Sequence, residues 1–101
     1  MTWHPIGPPP PSGAAAVLVQ VAGREVALFQ DERGQRHALP NSCPHKGGPL
    51  VDGIVQAGHV TCPWHGWRFE LATGKCTTVA EDSIVPCRVR EVAGNLEVDL
   101  P

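Results

Sequence analysis

The chain carries two short Cys/His pairs, Cys43-Pro44-His45 and Cys62-Pro63-Trp64-His65, separated by sixteen residues. Two thiols and two imidazoles in matched local pairs outline a metal site, and such a site fixes two loops side by side. The mixture of soft and borderline ligands suits iron–sulfur clusters and zinc. Structural zinc usually takes a C-x₂₋₄-C pair followed by an H-x₃₋₅-H pair. Here each pair is mixed, which makes zinc the weaker reading. In C-x-H and C-x-x-H, the two side chains of one loop can reach different metal ions of a flat, sulfide-bridged core. Glycines at 47, 48 and 66 leave room where backbone must pass close to that core. Pro44 and Pro63 stiffen the loops that they enter.

The flanking residues narrow the choice. His45 is followed by K-G-G-P-L and His65 by G-W-R-F-E-L-A-T-G. The stretch from Cys43 to Gly74 resembles the Rieske [2Fe–2S] proteins in ligand types, order, spacing and both glycine turns. The resemblance implies a [2Fe–2S] cluster with two Cys on one iron and two His on the other. Cys43 and Cys62 would hold the buried iron, and His45 and His65 the outer one. Exchanging two anionic thiolates for neutral imidazoles eases reduction. A solvent-facing imidazole can titrate with the electron. The resemblance also implies an arrangement: a base built from both chain ends, with a cluster-binding subdomain inserted at roughly residues 41 to 74.

At 101 residues the chain is expected to be one domain, 1–101, with one modest core. Eleven Gly and eleven Pro favour turns and short strands over long helices. The formal net charge of −2, without a basic run, argues against nucleic acid and anionic membranes. The start has neither the basic nor the apolar region of a signal peptide. The longest apolar run, Ala14 to Val19, is too short to span a bilayer. A soluble cytoplasmic protein follows as the expectation. In that setting Cys76 and Cys87 read as partly buried thiols, a disulfide being the second reading.

No sustained 3.6-residue apolar period appears, and the expected class is all-β, antiparallel. Candidate strands are Trp3–Ile6, Ala16–Val21, Glu25–Gln30 and Gln35–Leu39, then Ile54–Gln56, His59–Cys62 and Arg68–Leu71, and last Ile84–Val92 and Leu96–Leu100. Hairpins are expected at Ala22-Gly23, at Ala57-Gly58 and across Ala93-Gly94-Asn95. The prolines between Gly7 and Gly13 make a stiff extended connection. In the last strand Leu96, Val98 and Leu100 alternate with Glu97 and Asp99, the pattern of a half-buried edge. Trp3 is expected in the core of the base. Trp64 and Trp67 are expected to shield the cluster. His4, His37 and His59 read as ordinary strand or surface histidines. Lys46, Arg68 and Lys75 lie near the loops and read either as docking charges or as solvated surface.

Departures from the high-potential members of the resembled family carry information. Their inter-loop disulfide falls at Gly48 and Trp64 here, so it is absent. Their Ser and Tyr donors to cluster sulfurs fall at Trp67 and Phe69, and the chain has no tyrosine. Fewer donors stabilise the reduced cluster less, which implies a potential near the low end of the Rieske range, about −150 mV. That suits a soluble, non-enzymatic one-electron carrier, monomeric when free, between an NAD(P)H-dependent flavoprotein reductase and a terminal oxygenase. Lys75 to Val85 contains no proline, unlike the ferredoxins of ring dioxygenases, and its Glu81-Asp82 turn is closer to nitrite reductase small subunits. The alternative is therefore the small subunit of an assimilatory NAD(P)H nitrite reductase, partnered by a large subunit. A Rieske domain within an oxygenase would need a further catalytic domain; with the last expected strand ending close to Pro101, this is the least expected of the Rieske readings.

Overall fold

The computed structural model describes residues 2–8, 15–44, 47–64, 66–78 and 83–100. It is all-β, as expected, with three antiparallel three-stranded sheets. The strands are β1 Trp3–Gly7, β2 Ala15–Val21, β3 Arg24–Gln30, β4 Arg36–Pro40, β5 Ile54–Gln56, β6 His59–Thr61, β7 Arg68–Glu70, β8 Arg88–Val92 and β9 Asn95–Asp99. The sheets run β1-β9-β8, β2-β3-β4 and β5-β6-β7. The expected polyproline connection falls largely on residues 9–14, outside the described residues.

Three hairpins share one turn. Ala22-Gly23, Ala57-Gly58 and Ala93-Gly94 each place two residues at positive φ, with alanines at 50°, 53° and 52°. That is the two-residue turn whose twist matches that of the strands it joins. Each turn fixes its register: Val21 faces Arg24, Gln56 faces His59, and Val92 faces Asn95. Asn95 thus belongs to β9 and not to the turn.

The first two sheets form the base. Their edges β4 and β8 meet where Ala38 bridges Cys87, whose N–H donates to the Ala38 carbonyl at 2.9 Å. Between them lies one core, including Val21, Val26, Leu28, Leu96 and Val98. The other face of β2-β3-β4 supplies Ala27, Phe29 and Leu39 to a second core. There they meet Leu50, Val60, Phe69 and Leu71 from the third sheet and its loops.

Three expectations are corrected. β9 lies in the centre of its sheet and not at an edge, because β1 returns from the N-terminal end to pair with it. The alternation of Leu96 and Val98 with half-buried Glu97 and Asp99 holds, but burial pattern alone does not count neighbours. β8 begins at Arg88 and not Ile84. Residues 84 to 87 instead link two regions, since the Ile84 N–H donates to Gly74 O at 2.7 Å and Pro86 has no N–H to give. Trp3 is half-buried and outside both cores. Its ring lies under Arg88 and Arg90, whose guanidinium carbons are 5.5 and 4.1 Å from it. Between the first loop and β5, Leu50–Asp52 forms one 3₁₀ turn.

Candidate metal centre

Two loops leave the third sheet and its neighbour with the same closure. In the first, the Cys43 N–H donates to Gly48 O at 2.9 Å and the Gly47 N–H donates to Cys43 O at 2.7 Å. In the second, the Cys62 N–H donates to Trp67 O at 2.7 Å and the Gly66 N–H to Cys62 O at 3.0 Å. Each cysteine therefore binds the residues four and five places on. Gly47 and Gly66, the equivalent positions, both sit at φ 72°, which only glycine adopts readily. The extra residue in C-x-x-H relative to C-x-H leaves this frame unchanged.

The frame buries both thiols. Cys43 and Cys62 are each 1% exposed and belong to the same core as Phe69 and Val60. None of the four cysteines is in a disulfide. Cys76 shares that core, while Cys87 lies in the core of the base, so the two leftover thiols are separated. Burial pushes the Cys87 thiol up from its ordinary pKa, with Arg24 only partly opposing. His45, His65 and Lys46 lie outside the described residues.

The loops touch. A Cβ on Gly48 would stand 2.9 Å from Cys62 Sγ and 3.1 Å from Trp64 Cγ. Trp64 therefore covers a backbone position in the first loop, while 57% of its surface faces outward. Trp67 is half-buried against the shared core. Beneath the first loop, the buried Asn41 accepts the Val51 N–H at 2.7 Å and reaches Glu25 Oε1 at 3.4 Å. It pins the loop to the base. The sequence reading missed this role, though Asn is a residue type that caps turns through its own side chain.

Asp31 was missed as well. Its Oδ1 accepts the N–H groups of Arg33 and Gln35, both at 2.9 Å, and its Oδ2 is 3.0 Å from His37 Nε2. Burial alone would raise its pKa. The His37 bond and the two backbone donors outweigh this and hold it below the usual carboxylate value. His37 is thus a partnered, largely buried group. Beside it, the Ala57 N–H donates to Glu32 Oε2 at 3.0 Å and ties the base to the β5–β6 turn.

Residues 10–88 match the family model described as the Rieske [2Fe-2S] domain. The chain belongs to this family. Its fold agrees at full length with a ferredoxin of carbazole 1,9a-dioxygenase from Nocardioides aromaticivorans (TM-score 0.84, 22% identity, 97% of this chain and 99% of that one). It also agrees with a protein assigned as an NADH-dependent nitrite reductase small subunit from Mycobacterium tuberculosis (TM-score 0.83, 25% identity, 96% and 93% covered). Among curated relatives, it is 41% identical over 61 residues to a 4beta-methylsterol monooxygenase of Methylococcus capsulatus, covering 60% of this chain and 16% of that protein. The Rieske domain thus spans a small part of that relative. The family's cofactor is a [2Fe–2S] cluster. The site fits it: two buried thiols stand at the head of matched loops, and the Gly48 cradle beside Cys62 Sγ has no room for a side chain.

Proposed function

We propose that this Rieske domain is a one-electron carrier, with the cluster held by Cys43 and Cys62 on one iron and His45 and His65 on the other. The observation that carries it is the twin closure, which brings two buried thiols to the head of equivalent loops. When bound, the cluster accepts and releases single electrons. The chain's own residues fix the two cysteines, exclude water through Trp64, Trp67 and Phe69, and close each loop on an exposed glycine, Gly47 or Gly66. In this reading residues 1–101 are one domain and residues 41 to 74 its cluster-binding subdomain. The chain binds no substrate of its own.

The donor would be an NAD(P)H-dependent flavoprotein reductase and the acceptor a terminal oxygenase. The full-length agreement in fold with a dioxygenase ferredoxin favours this. The agreement with a nitrite reductase small subunit, again over nearly both chains, favours the second reading, in which a large reductase subunit is a permanent partner. No helix among the described residues is long and apolar enough to cross a membrane. In this reading the protein is cytoplasmic and monomeric when free, and the absence of a disulfide at Cys76 and Cys87 fits a reducing compartment.

The test is low-temperature EPR of the dithionite-reduced protein. A rhombic signal of low average g, lost in His45→Ser and His65→Ser, is the expected result. A colourless, silent protein would end the carrier reading. Reduction by a flavoprotein reductase with turnover of an oxygenase, compared with stable association to a nitrite reductase large subunit, separates the two branches.

A further inference from the structure

The third sheet has an open face. Register puts Val55, Val60, Phe69 and Cys76 in one row, pointing into the core. The residues on either side of that row point the other way. Nearest the loops the outer row is Ile54, Thr61, Arg68 and Thr77, one residue from Cys62 and from Trp67. The far row ends in Glu70 and Lys75, where the Glu70 N–H donates to Lys75 O at 2.9 Å.

Two features bear on what this face could meet. Ile54 is 66% exposed on it, beside a loop where Trp64 is 57% exposed. Arg36, Arg88 and Arg90 of the base each meet a carboxylate at 2.6 to 2.7 Å. Among the described residues Arg68 and Lys75 meet none, and Glu70, the carboxylate described on the face, accepts from Thr73 at 2.7 Å. Among the described residues, two cations thus stand outside the ion pairs on a sheet that adjoins the site, as Arg24 and Arg33 do in the base.

We propose that this face, with Ile54 and Arg68 at its centre, docks a redox partner whose own surface is rich in carboxylates. The proposal rests on the electron-carrier reading. An apolar side chain gives the contact area, and exposed cations supply steering and orientation. Opposite charge raises encounter rates at low ionic strength and loses that effect as salt screens it.

The test uses the cluster-loaded protein, reduced with dithionite and mixed in stopped flow with the soluble haem domain of cytochrome b5. That acceptor is acidic, and each transfer moves one electron from the reduced cluster to its ferric haem. Neutral p-benzoquinone is the control acceptor. Arg68→Glu is expected to slow reduction of the cytochrome about tenfold at low salt and to leave the quinone rate unchanged. Ile54→Ser is expected to slow the cytochrome about threefold at every salt concentration. Arg24→Glu, an equal charge change on an exposed base residue, is expected to have less than a twofold effect. Equal slowing by Arg68→Glu and Arg24→Glu would show that net charge alone acts, and would overturn the docking face while leaving the carrier reading intact. A wild-type protein that reduces neither acceptor would overturn both.

Discussion

The base and the cluster end of this molecule are held together by different means. In the base, five- to seven-residue strands close around an aliphatic core. Exposed pairs such as Arg88–Asp99 at 2.6 Å decorate its surface and contribute little, because solvent screens them. At the cluster end each strand has three residues, and the shared core includes Cys43, Cys62 and Cys76. So short a sheet is marginal alone. The base draws its stability from its own pairing and burial, and the tip borrows from the base and, in the proposed reading, from the cluster that its loops would hold.

The largest test of that contrast is removal of a ligand. Cys43→Ser or Cys62→Ser is expected to abolish the cluster, read as loss of visible absorbance and EPR signal. Amide exchange is expected to accelerate over residues 54–70 by at least about a hundredfold while β2, β3 and β9 keep their protection. Uniform acceleration would mean that the two regions unfold as one. Gly48→Ala comes next. Its methyl group would press on Cys62 and Trp64, a cost of about 1–3 kcal/mol, measured as a lower midpoint in urea together with reduced iron content.

Phe69→Tyr probes the tip without breaking it. Phe69 is buried and offers no donor. A hydroxyl there is expected to raise the potential from about −150 mV by some tens of millivolts, measured by protein-film voltammetry. An unchanged value would mean that the new group finds no sulfur.

Asp31→Asn probes the base through pH. The folded carboxylate has a depressed pKa, so its contribution is fully present above the unfolded value, about 3.9. It is lost as pH falls through the lower folded value. Thermal melts between pH 6 and 3 are expected to fall less steeply for the variant, from a lower start. The smallest effect belongs to Ala93→Asn. Asparagine tolerates positive φ better than alanine, so a gain of about 0.5 kcal/mol is expected in denaturant titration.

Local chemistry was readable in the sequence, and long-range pairing was not. The Ala-Gly turns announced three hairpins, and the Cys/His spacing announced two loops. The central position of β9 depends on β1, more than ninety residues earlier in the chain, and no window of residues contains that partner. The early end of β8 depends likewise on Gly74 and Ala38 taking hydrogen bonds from residues 84 and 87. His37 read as an ordinary histidine because its partner, Asp31, is brought back by a turn whose own hydrogen bonds are made by that same carboxylate.

The twin closure of the loops also has a mechanical meaning. Two mounts closed by the same pair of backbone bonds, with a glycine at the equivalent place in each, are built to hold what lies between them evenly from both sides. Whatever they grip is shifted as a body more than it is sheared. A carrier that cycles repeatedly between two charge states gains from such a vice, because little nuclear rearrangement then accompanies each change of charge.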